Sequence, residues 1–189
     1  RAYAEVMLIS VVALVALMAA LYLSGPWLLA HYVPGYGPEK LALTNTLMRI
    51  MLPAVGLTGV VTIWTGMLNV ENRFGFGAAA PVAIPITTAL AFILIPHAGA
   101  QTLATAFVAG AAIQFALLYV ELQRRGIGTP LGWHGGLPET RQTFRLFWPA
   151  LANDAVFGGL GVVDQAMAAT LGHGSNSVLS YGTRLVLPF

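Results

Sequence analysis

Charged residues punctuate this sequence at intervals that leave long apolar runs between them. A helix crossing the hydrocarbon core of a bilayer needs about 20 residues, so these runs can be read directly as spans. Residues 6–30 contain no acid, Lys or Arg and end at a broken segment holding Pro34, Gly35, Gly37 and Pro38. Residues 50–70 follow Arg49 and precede Glu71 and Arg73. The charge-free run 74–120 is too long for one span and divides at Pro96, His97, Ala98 and Gly99, predicting helices over 77–95 and 100–120. The connection 121–145 carries Arg124, Arg125, Arg141 and Arg145 among Gly and Pro, which predicts a polar loop with room for a short interfacial helix. A fifth span, 146–171, is interrupted by Asp154 and Asp164, and a polar turn leads into a truncated sixth, 177–189. The runs are about twice the length of a tilted transmembrane strand and lack strict alternation, so helices are expected rather than a barrel.

Composition sharpens this reading. Of the 189 residues, 57% are hydrophobic and 8% charged, with mean hydropathy +0.76, against roughly 25% charged residues in soluble domains. So few charges cannot cover a water-facing surface. The expected fold is an all-α, polytopic transmembrane bundle of about five complete helices and the start of a sixth. The net charge of +2 and pI near 9.2 do not point to nucleic acid, because the basic residues form no stripe with interleaved aromatics. Their distribution speaks instead to topology: Arg1, Arg73, Arg124, Arg125, Arg141 and Arg145 fall on one side, Lys40 and Arg49 on the other. Basic residues are retained in the cytoplasm, so the N-terminal end and the loop 121–145 are expected there. Trp27 and Trp148 lie near span ends, as aromatic belts do. Arg1 is not an initiator methionine and Phe189 falls inside an apolar run, so an internal segment of a longer protein is expected.

An ionisable side chain within a bilayer is costly and usually faces a cavity or a partner. Asp164 lies seven residues before Leu171, about 10 Å deep at 1.5 Å per residue, and Arg184 lies eight residues after Asn176, about 12 Å deep. The two opposite charges are thus nearly level on consecutive antiparallel helices. They either line a cavity, with Arg184 contacting an anionic substrate, or form a structural ion pair. Asp154, about 15 Å from Asp164 along the same helix, either extends this polar path or sits with Asn153 in a hydrated vestibule. Gly158, Gly159 and Gly161 permit dense helix packing or bending, packing being the stronger expectation. Pro53 and Pro85 predict kinks. His31, His97, His134 and His173 show no metal-ligand spacing, Gly126 and Gly128 form a lone GxG, and Ser175 and Ser177 lack a nucleophile-elbow setting. With no nucleophile, base and metal set converging, no enzymatic activity and no cofactor is expected. With no cysteine there is neither a disulfide nor a thiolate site.

Two blocks of residues are more specific. The run Leu47-Met48-Arg49-Ile50-Met51-Leu52-Pro53, then Gly66-Met67-Leu68-Asn69, Asn72-Arg73-Phe74 and Ala78 to Pro81, resembles the MurJ/MviN lipid II flippase family. So does the series Asp164, Ala168, Leu171, Gly174-Ser175, Ser177, Leu179, Tyr181, Arg184-Leu185 and Pro188. The resemblance implies a multidrug/oligosaccharidyl-lipid/polysaccharide transporter of about fourteen helices, with two lobes rocking around a cationic cavity. The present segment would run from its third helix into its eighth. It implies movement of an undecaprenyl-diphosphate-linked peptidoglycan precursor from the inner to the outer leaflet of the bacterial inner membrane. Arg184 matches the family's cavity arginine and Ser177 a nearby polar position. Asp164 matches a position that is acidic in some members and implies a place for a coupling cation such as Na+, with the membrane potential as the other driving force. The implied partners are the lipid-linked sugar diphosphate and membrane lipids. Thr183 and Pro85 stand where many members carry an acid and an asparagine, and the proline expected near Gly77 is absent. Such departures leave open a relative that moves another lipid-linked oligosaccharide or an amphipathic drug. On the residues alone, a non-transporting membrane scaffold is also open.

Overall fold

The computed structural model describes residues 2–32, 37–70, 74–97, 99–126, 132–133, 138–170, 177–178, 180 and 182. Among them every regular element is helical: α1 (Ala2–Tyr32), α2 (Pro38–Val70), α3 (Phe74–Ala79), a single 3-10 turn (Ala80–Val82), α4 (Ala83–Leu94), α5 (Ala100–Arg124) and α6 (Pro138–Thr170). Four stretches are long and apolar enough to cross a membrane: Ala4–Leu29, Pro38–Val70, Gly75–Leu94 and Ala100–Arg124. In a medium without water, backbone amides must bond within the segment, which is why these runs become helices and not loops. The expected all-helical fold is therefore present. The helices also overrun the charge-free stretches. Thus α2 begins at Pro38, well before residue 50, α5 runs through Glu121 to Arg124, and α6 starts at Pro138. Helical hydrogen bonding is indifferent to where the hydrocarbon ends, so charged flanks extend a helix without interrupting it.

The interruption within the third span has a covalent cause. Pro81 and Pro85 each lack an N–H, removing donors to the carbonyls four residues back, and the chain tightens into the 3-10 turn between α3 and α4. Pro53 is carried inside α2. Hydroxyls within the spans are silenced locally. Thr58, Thr62 and Thr88 each donate to the carbonyl of residue i−4, at 2.7, 2.9 and 2.8 Å, so no polar group on them faces lipid unpaired.

Packing is concentrated in the first five helices. α1 and α2 run antiparallel with a register set by small residues: Leu14 sits on Gly59, Met18 on Gly56, and Met48 on Gly25. The α4–α5 crossing is tighter still, since a Cβ added at Gly110 would lie 2.7 Å from the Ile84 Cα and would collide with the Thr87 hydroxyl. Only glycine allows that backbone approach. α2 and α5 meet through aromatics, Trp64 lying 4.7 Å from Phe115 and 6.0 Å from Tyr119 between ring centroids. Below them a core of Met7, Val61, Leu68, Ala80, Leu118 and Leu122 joins α1, α2, the 3-10 turn and α5. At the same end, the fully buried Glu5 and the buried Glu121 enter the packed region, and Arg125 donates to Glu121 one turn away. The α5 helix stops there because Gly126 adopts φ +67°, a left-handed C-terminal geometry that glycine takes without strain.

Candidate functional site

Helix α6 differs from the rest in where it puts its polar groups. Over 33 residues it carries Asn153, Asp154, Asp164 and Gln165 along with its apolar side chains, and it touches the other described helices mainly through α1. Asn153 and Asp164 are both exposed. Eleven helical residues separate them, which is about 20° in azimuth and about 16 Å along the axis, so they share one face. Asp164 is where the sequence expects a charge within α6, and the structure leaves its carboxylate open to whatever adjoins this helix. Ser177 is likewise exposed. Arg184 lies outside the described residues, as does the side chain of Asp154, and the juxtaposition of Asp164 with Arg184 falls outside them too.

The glycines of α6 do not do what their spacing predicts within this chain. A Cβ added at Gly158, Gly159 or Gly161 would meet nothing within 4 Å, so no described helix packs closely there. The reason is positional: α1, α2, α4 and α5 satisfy one another, and α6 is left with Ala168 as its buried described residue.

Metal chemistry finds no footing among the described residues, where no group of three or more His, Cys, Asp or Glu side chains comes together. Asp164 offers one exposed carboxylate that belongs to no such group among the described residues. Of the histidines, His31 packs against Trp27 at 4.5 Å, its Nδ1 lying 3.1 Å from the Trp27 carbonyl oxygen. His97 occupies the α4–α5 turn at φ 61°. His134 and His173 lie outside the described residues.

Two groups went unread in the sequence. Arg49, taken there as the flank of a span, sits well inside α2, its guanidinium 4.9 Å from the centre of the Tyr22 ring on α1. The second is the two buried acids, Glu5 and Glu121. The i, i+4 spacing of Glu121 and Arg125 was a legible signal for the latter, whereas the Tyr22–Arg49 contact depends on the α1–α2 register and had none.

Among the described residues a packed helical unit carries a long, sparsely packed helix on which Asn153, Asp164 and Gln165 are exposed. A family model described as "Lipid II flippase MurJ" matches residues 2–188. A "Probable lipid II flippase MurJ" of Rhizobium tropici is 28% identical over 172 residues, covering 84% of this chain and 31% of that protein. Another of the same description, from Rhizobium meliloti (strain 1021), is 24% identical over 184 residues, covering 91% of this chain and 34% of that protein. The chain thus spans about a third of the length of these curated relatives. With a match running almost from end to end of a multi-spanning helical chain, this chain belongs to the lipid II flippase MurJ family.

Proposed function

We propose that this chain forms part of a flippase that moves an undecaprenyl-diphosphate-linked peptidoglycan precursor from the inner to the outer leaflet of the bacterial inner membrane. The observation that carries the reading is the family match over residues 2–188 on a charge-poor, multi-spanning helical chain. Alternating access needs two packed bodies and a polar passage between them. The compact α1–α5 unit supplies part of one body, and the open polar face of α6 borders the passage. In this mechanism Arg184 and Ser177 engage the diphosphate, for which a guanidinium is suited by its planar, bidentate donors. Asp164 and Asp154 keep the wall of the passage hydrated and balance the cationic charge when cargo is absent. The sugars stay in water, the polyprenyl tail stays in lipid, and no covalent bond changes. Energy enters through the electrochemical gradient, as membrane potential or Na+. The N-terminal end of the segment is cytoplasmic in this arrangement.

The test is complementation. The full-length protein should sustain growth when a host's resident lipid II flippase is depleted, and should accelerate lipid II translocation in proteoliposomes. Arg184→Ala should abolish translocation in a protein that remains folded, with Arg184→Lys retaining a fraction of the rate because a point charge replaces a bidentate fork. A correctly inserted full-length protein that neither complements nor translocates would overturn the reading. Loss of folding in both Arg184 variants would assign that residue to scaffolding.

A further inference from the structure

We propose that Arg49 and Tyr22 form a binding site for the phosphate of an anionic phospholipid headgroup, on the α1–α2 face toward the end where those helices connect. Arg49 lies eleven residues into α2, about 16 Å along its axis, and Tyr22 lies seven residues, about 10 Å, before the end of the α1 span at Leu29. The sequence around the arginine, Leu47-Met48-Arg49-Ile50-Met51-Leu52, is otherwise apolar. A charge at that position requires a counterpart, and among the described residues no carboxylate pairs with it. Its contact is the Tyr22 ring, 4.9 Å from the guanidinium carbon.

A ring face attracts the cation but accepts none of the N–H groups along the guanidinium edge. Tyr22 therefore holds the plane of the fork while leaving its donors free for a bidentate acceptor, which the two non-bridging oxygens of a phosphate diester provide. Both residues are open on this face, Tyr22 being 49% exposed. The neighbouring Thr44 and Thr46 hydroxyls are spent on the Lys40 and Ala42 carbonyls.

The apolar surround favours a lipid as the source of the phosphate: it brings the group to the interface with its tails already in the bilayer, and the arginine stem extends toward it. None of the residues assigned to cargo takes part, so the site stands or falls independently of the flippase reading. Its consequence is an annular lipid fixed at the α1–α2 seam, whose register is held by Met48 on Gly25 and Met18 on Gly56.

The test uses the full-length protein in nanodiscs and native mass spectrometry of retained lipid, with dioleoyl phosphatidylglycerol, dioleoyl phosphatidylcholine and inorganic pyrophosphate as separate probes. Phosphatidylglycerol affinity should fall about tenfold in Arg49→Gln and about threefold in Arg49→Lys, the bidentate geometry being lost in both and the charge in one. Tyr22→Leu, which alters no charge, should lower it about threefold through the lost ring contact. Phosphatidylcholine, whose choline cation offsets its phosphate, should be retained more weakly than phosphatidylglycerol by the unaltered protein and should lose less in each variant. If Arg49→Gln fails to yield monodisperse protein, the Lys and Leu variants carry the test. Unaltered phosphatidylglycerol affinity in whichever of these variants fold would overturn the site. Equal dependence of pyrophosphate binding on Arg49 would overturn its assignment to a lipid.

Discussion

The helices α1 to α5 and the helix α6 are packed to different degrees among the described residues. In the first group Leu68, Leu118 and Leu122 are fully buried and Gly110 lets two backbones touch. In α6 the large side chains of Trp148, Val156, Leu160, Val163 and Met167 are all more than half exposed. Hydrophobicity alone does not lock spans together, because lipid tails are as apolar as leucine and there is no water to expel between spans. Shape contributes. Where small residues face large ones in register, as Gly59 faces Leu14, helices interlock. Where three glycines meet no described side chain, as at Gly158, Gly159 and Gly161, no such interlock forms among the described residues.

This contrast predicts a descending series of effects on stability, measured on the full-length protein by thermal unfolding in detergent micelles. Leu118→Ala removes a side chain whose neighbours Leu68 and Leu122 are themselves fully buried and have little freedom to fill the space. It should cost about 4 kcal/mol, in the upper part of the range for such truncations, and lower the melting temperature more than any change on α6. A loss no larger than that of an α6 leucine would mean that the two regions are equally packed. Gly110→Ala adds one methyl group against the Ile84 backbone. Overpacking of this kind costs about 1–3 kcal/mol, because a backbone yields less readily than a side chain. Arg125→Gln leaves the largely buried Glu121 carboxylate without its cationic partner. The Arg125 side chain is itself 31% exposed, so the expected loss is about 1 kcal/mol, near the surface limit and short of the buried one.

How much of this was legible beforehand depended on the range of the signal. The helical, membrane-spanning character followed from charge spacing alone, since a bilayer enforces internal backbone bonding on any apolar run of sufficient length. Helix ends were less legible: Lys40 and Arg49 mark where hydropathy changes, yet α2 runs through both. Pro85 announced a disturbance, which took the form of a 3-10 turn preceding α4, because Pro81 acts with it four residues earlier. Asp164 was found as a charge in an apolar context and is exposed on α6. The interhelical groups were not legible, Tyr22 with Arg49 and Trp64 with Phe115 among them, because a single sequence carries no record of which face meets which. The expected packing at Gly158, Gly159 and Gly161 meets no partner among the described residues, and the sequence gives no sign of which helix it would be: small residues license close approach without naming a partner.

The smallest expected effect on stability therefore falls on α6, and it separates the two regions most cleanly. Gly158→Ala places a methyl group in open space and improves helix propensity, so unfolding should shift by no more than about 1 kcal/mol, toward greater stability. Asp164→Asn, isosteric at an exposed site, should change stability by about 0.5 kcal/mol or less. If α6 borders the transport passage, the same two substitutions should lower the rate of lipid II translocation in proteoliposomes while the melting temperature holds. Methyl groups then intrude where the opposing body closes, and the charge that hydrates the wall is gone. Translocation that tracks stability in both variants, as it must in Leu118→Ala, would reduce α6 to one more structural helix. Translocation that falls without it would mark α6 as the working face of the segment, carried by the packed helices α1 to α5.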